Sequence, residues 1–215
     1  MQTKNCESNR AFTLAELLLM IFVLVLLQFV LIPRMTGAKQ KAHRQQCTDN
    51  LKQVTLAFKQ FALSGDRFQM AVTTADGGSA ESVTNGEVFR HFQLMSNELN
   101  TPKVLVCPAD QRIASTDFRI GFSNTNLSYF VGVDASDTEP QMFLTGDRNI
   151  TNGPPLPNGL LLVTTNSAAG WTPELHQLTG GVGLADGSVQ HYGTLRLRDA
   201  LRNMGGYGTN RLAIP

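Results

Sequence analysis

The hydrophobic positions fall into three patterns along the chain. From Leu14 to Ile32 they run almost unbroken, interrupted by Ala15-Glu16 and Gln28. A helix over that run spans roughly 28 Å at 1.5 Å per residue, close to the hydrocarbon thickness of a bilayer. A cleaved secretory signal has a shorter apolar region followed by a small-x-small site. The stretch "QFVLIPRM" offers none, so the run predicts a spanning helix. Beyond Pro33 the pattern becomes periodic. Cys47, Leu51, Val54, Phe58 and Phe61 recur at spacings of four and three, and Ala62 widens the stripe. That is an amphipathic helix whose apolar face packs on a globular domain. Pro33 lacks the N–H of its helical bond and predicts a kink, and Ser64-Gly65-Asp66 predicts the end of the helix.

The third pattern starts after residue 64 and is broken by turns at Asp76-Gly77-Gly78 and Asn85-Gly86. In residues 87–100, Val88, Phe92, Met95 and Leu99 mark one face of a second helix, which Pro102 prevents from continuing. Short strands are predicted at residues 104–107, 127–133, 141–145 and 160–165. Val182 and Leu184 alternate before Asp186-Gly187, and Val189 follows. Asp-Gly between β-forming runs is a hairpin signal, because both turn positions favour positive φ. Residues 194–204 read as a short helix and residues 209–215 as extended chain. The fold class is therefore α+β.

Composition narrows the function. The chain has 215 residues and a net charge of +1, which argues against a polycationic nucleic-acid binder. The basic residues Arg34, Lys39, Lys41, His43 and Arg44 read as a solvated helix face. Three cysteines, Cys6, Cys47 and Cys107, form no CxxC motif. If the apolar run crosses a membrane, Cys6 stands on one side and Cys47 and Cys107 share the other, where a disulfide between them competes with two buried thiols. Charge alone leaves orientation ambiguous, since more basic residues follow the run than precede it.

The stretch "AFTLAELLLM" resembles the processing site of type IV prepilins and type II secretion pseudopilins. The resemblance implies a leader over residues 1–11, with cleavage by prepilin peptidase between Ala11 and Phe12 and N-methylation of Phe12. Ala11 departs from the glycine usual before the cut. Glu16 becomes the fifth mature residue, which in the family meets the terminal amine of a neighbouring subunit and sets register. Pro33 stands where many members carry a helix-bending proline. Three further matches resemble the pseudopilin-like chains abundant in planctomycetes and verrucomicrobia: "QCTDNLKQ", "CPAD", and His176 with nine residues between it and the Asp186-Gly187 of "ADGSV".

The resemblance implies a pilin-like architecture, with a long N-terminal helix, membrane-spanning in its first half, packed on a small antiparallel sheet. Its segments are a leader (1–11), a transmembrane helix (12–33), an amphipathic continuation (34–63) and a globular domain (64–215). It also implies a single-pass protein of the bacterial inner membrane, with cytoplasmic N-terminus and periplasmic domain, that later enters a fibre. The implied partners are prepilin peptidase, like subunits and an inner-membrane assembly platform, with no nucleic acid. The implied function is a structural subunit of a pseudopilus or pilus-like fibre serving type II secretion.

Two rivals remain: a surface-attachment or glycan-binding module on the same anchor, and a tethered metal-dependent hydrolase using His176 and Asp186. The chain carries no GxSxG, HExxH or P-loop, so no enzyme activity is expected. A His and an Asp alone make no metal site, and Asp186 already has a turn role. Asp147 and Asp186 invite comparison with the calcium ligands of some major pseudopilins, but their spacing matches no calcium-loop motif. No cofactor is expected, with calcium the lesser alternative.

Overall fold

The computed structural model describes residues 12–65, 67–204 and 208–215, without the side chains of residues 29–38. The expected leader with Ala11, the side chain of Pro33 with its kink, and Asp66 at the expected helix end lie outside the described residues. The chain divides into two units, one through Ala42 and one from His43 onward.

Helix α1 (Leu14–Gly65) begins at a reciprocal cap. The Thr13 hydroxyl accepts the Glu16 N–H at 3.3 Å, and Glu16 Oε2 accepts the Thr13 N–H and the Thr13 hydroxyl, both at 2.9 Å. Two orphan donors at the helix start are thereby satisfied. The apolar side chains from Leu14 to Leu27 are exposed.

The expected architecture needs correction. Among the described residues no helix is long and apolar enough to cross a membrane. A long helix spanning a membrane in its first half is therefore not supported, and neither is a single-pass inner-membrane location. Nor is the sheet a small appendage. A six-stranded antiparallel sheet dominates the carboxy-terminal part.

In the second unit, α1 buries Cys47, Leu51, Val54, Ala57, Phe58 and Ala62. Three short helices follow: α2 (Ala80–Asn85), α3 (Val88–Leu94) and α4 (Ser96–Leu99). The helix expected over residues 87–100 is thus split at Met95. Residues Pro102–Leu105 form a 3-10 turn where a strand was expected at 104–107. Thr101 caps it by accepting the Lys103 N–H, and Pro102 occupies the first helical position, where its missing N–H costs nothing.

The strands are β1 (Tyr129–Gly132), β2 (Phe143–Asp147), β3 (Ile150–Thr151), β4 (Leu160–Thr164), β5 (Gly170–Trp171), β6 (Thr179–Leu184), β7 (Val189–Gly193) and β8 (Thr209–Ala213). Helix α5 (Thr194–Arg202) lies between β7 and β8. The main sheet runs β4-β8-β1-β2-β6-β7, and β3 pairs with β5 in a small second sheet. The last strand therefore sits inside the sheet, with Leu161 opposite Leu212 on one side and Val131 opposite Ala213 on the other. The β6–β7 hairpin differs in detail from the expected two-residue turn. Gly183 pairs with Val189, and only Gly187 of the Asp-Gly pair has positive φ, at 95°. The Gly187 N–H donates to the Leu184 carbonyl, and the Ser188 N–H to Asp186 Oδ1. This is the three-residue hairpin loop with a left-handed glycine.

Strand β6 can lie close under α1 because it carries glycine where the helix approaches. A β-carbon at Gly181 would fall 2.9 Å from Leu51 Cδ2, and one at Gly183 would collide with Thr55 Oγ1. Gly183→Ala is expected to cost about 2 kcal/mol by overpacking. In a Thr55→Ala background the same change should cost much less. Urea unfolding of the four proteins measures this, and strictly additive losses would exclude the contact as the cause.

Candidate functional site

Four buried side chains from four parts of the second unit meet beneath α1. Cys47 comes from the helix stripe, and Cys107 from the segment after the 3-10 turn. Asp147 ends β2, and His176 precedes β6. Cys47 and Cys107 are joined in a disulfide. His176 Nε2 lies 3.4 Å from Cys107 Sγ and 3.6 Å from Asp147 Oδ2, so one ring nitrogen faces both a sulfur and a carboxylate. The ligand atoms of Cys47, Cys107 and His176 all lie within 4.8 Å of one another. Asp147 Oδ2 also accepts the Gly181 N–H at 2.7 Å, a contact set by the pairing of β2 with β6.

His176 is held in place by its backbone. The next two residues, Gln177 and Leu178, both adopt left-handed conformations, with φ of 53° and 64°. Neither is glycine, and such residues cost energy that the surrounding structure must offset. The His176 carbonyl supplies part of that offset, accepting the Thr179 hydroxyl at 2.7 Å and Arg44 Nη2 at 3.3 Å. Nearer the surface, Thr48 Oγ1 and His191 Nε2 are 2.6 Å apart.

The electrostatics follow from burial. Removal from water pushes the Asp147 carboxyl up to about 7, against the Gly181 hydrogen bond, and the Asp110 charge adds to the rise. Burial pushes the His176 imidazole down to about 4, with the Arg44 charge and His191 acting in the same direction. Tyr129, whose hydroxyl reaches the Cys47 carbonyl at 3.5 Å, is raised well above its ordinary value by burial and then by Asp147.

A charged anchor stands behind Cys107. The Cys107 N–H donates to Ser128 Oγ, whose hydroxyl donates to Asp110 Oδ2. Arg148 grips Asp110 through two hydrogen bonds, at 2.9 and 3.0 Å, and also reaches Glu174 at 2.8 Å. Burial alone raises the Asp110 carboxyl, but hydrogen bonds from Arg148 and Ser128 and the Arg148 charge hold it below its usual value. The "CPAD" stretch thus places a disulfide sulfur and its carboxylate anchor three residues apart.

The structure regroups the residues that the sequence singled out. His176 and Asp186 are not brought together: β6 separates them by about 20 Å of strand, and Asp186 is exposed in the hairpin loop. The carboxylate beside His176 is Asp147, and it is likewise apart from Asp186, so the calcium comparison finds no assembled pair. Phe12 is exposed. Glu16 is lowered from its ordinary value by hydrogen bonds from the Thr13 backbone and hydroxyl. That cap was written in the sequence as Thr-x-x-Glu and was missed, as was Asp110. No protein-family model matches the chain, and no curated protein and no solved structure matches it.

Proposed function

We propose that the chain is a structural subunit that assembles with copies of itself and like subunits into a pseudopilus- or pilus-like fibre serving protein secretion, after prepilin peptidase cuts before Phe12. The observation that carries this reading is the start of α1. Its side chains from Leu14 to Leu27, except Glu16, are apolar and exposed on every face. A helix that is hydrophobic all round is stable only when buried, and packing against the same helix of other copies buries it. Glu16 sets the register. One carboxylate oxygen completes the Thr13 cap; the other accepts no hydrogen bond among the described residues and meets the terminal amine of a neighbouring Phe12.

The test separates capping from pairing. Glu16→Gln keeps an oxygen acceptor for the cap but removes the charge, whereas Glu16→Ala removes both. Both variants are expected to lower fibre yield by about tenfold, equivalent to about 1.4 kcal/mol per contact. Electron microscopy and sedimentation of the full processed chain provide the readout. Wild-type yield from Glu16→Gln would leave Glu16 only its local cap, and a wild-type chain that stays monomeric would overturn the assembly reading. Mass analysis should find a mature chain that begins with methylated Phe12.

A further inference from the structure

We infer that Cys47, Cys107 and His176 form a redox-gated site for a divalent transition metal, closed while the disulfide stands and opened when it is reduced. The geometry is close to what such a site requires. Zinc bonds of about 2.3 Å to sulfur and 2.0–2.1 Å to nitrogen place a tetrahedral S···N edge at roughly 3.6 Å. The Cys107 Sγ to His176 Nε2 distance is 3.4 Å. The two sulfurs need only separate to the roughly 3.8 Å that a shared tetrahedral zinc sets. The third donor is already held in position, because the left-handed Gln177-Leu178 turn and the bonds from Thr179 and Arg44 fix His176. Asp147 Oδ2 lies 3.6 Å from the same nitrogen, outside the three-donor group, which leaves the fourth position to a water molecule.

Two thiolates and an imidazole select zinc over calcium or magnesium, which prefer all-oxygen sites. The chemistry balances with an external two-electron reductant. A dithiol gives two electrons and two protons to the Cys47–Cys107 bond and leaves as its own disulfide. The metal ion then displaces both thiol protons to solvent and forms two bonds to sulfur and one to His176 Nε2. The proposal thus assigns two mutually exclusive staples, a disulfide and a metal ion, to one place beneath α1.

The test uses the full chain, reduced without oxygen by a water-soluble phosphine, which leaves as its oxide with an oxygen from water. Cobalt(II) is the probe. The reduced chain is expected to bind one equivalent, with the sulfur-to-cobalt charge-transfer band and intense visible bands of a tetrahedral site. The oxidised chain should show neither. His176→Ala, still stapled when oxidised, should weaken binding at least about tenfold after reduction. Zinc should displace the cobalt. If the reduced chain loses its circular-dichroism signal, zinc should restore it. Absence of the charge-transfer band in the reduced chain, cobalt spectra unchanged by His176→Ala, or an unfolded reduced chain that zinc does not rescue would each overturn the site.

Discussion

Replacing both Cys47 and Cys107 with alanine is expected to lower the unfolding free energy by about 4 kcal/mol at 25 °C. The two cysteines are separated by 60 residues in sequence, so the cross-link removes a large share of the unfolded chain's freedom. The closed loop holds α2, α3 and α4, short helices that depend on tertiary contacts rather than on their own propensity. Alanine is preferred to serine because both sulfurs are buried, and a hydroxyl there would add an unrelated polar penalty. Loss of the sulfur also frees the Ala109 N–H, which points at Cys107 Sγ at 3.4 Å. Urea denaturation read by Trp171, the only tryptophan, measures the loss. A loss below about 1 kcal/mol would show that α1 and the helical segment are held together by packing alone.

That cross-link also shows how far sequence reasoning reaches. The stripe through Cys47, Leu51, Val54 and Phe58 was legible because its period is local, and all four residues are buried. Residues 104–107 were misread because a short apolar run looks the same in a buried strand and in a turn. The deciding marks, Thr101 as cap and Pro102 at the first helical position, stand just before the run. Residues 209–213 were legible as extended, but nothing local says that β8 inserts between β4 and β1, since register across a sheet is a long-range property. The buried cluster was out of reach of the sequence for the same reason. His176 and Asp186 were read together only in the weaker hydrolase rival, whereas the pairing of β2 with β6 brings Asp147 to His176. The role of the β6 glycines in admitting Leu51 and Thr55 required the position of α1.

Acid is expected to destabilise the second unit through His91. Its side chain is fully buried, with Nδ1 2.6 Å from Ser79 Oγ and Nε2 unpartnered among the described residues. Gln69, also fully buried, donates to the His91 backbone carbonyl at 3.1 Å. Burial pushes the imidazole from its ordinary 6.5 down to about 4, so it is neutral in the folded chain at pH 7. Between those values the unfolded chain binds a proton that the folded chain refuses. Stability from this group is therefore complete above pH 6.5, falls as the pH drops towards 4, and changes no further below that. The drop amounts to about 3 kcal/mol. His176 contributes a slope of the same sign. Asp147, raised to about 7, slopes the other way, since its folded form holds a proton that the unfolded form has released. The difference between wild type and His91→Phe isolates the His91 share. Phenylalanine fills the ring's space but cannot be protonated, at the cost of the Ser79 contact at every pH. The variant should start less stable at pH 7.5 and lose less on acidification, so that the two curves converge towards pH 4. Parallel curves from pH 7.5 to 4.5 would mean that His91 takes up its proton inside the fold.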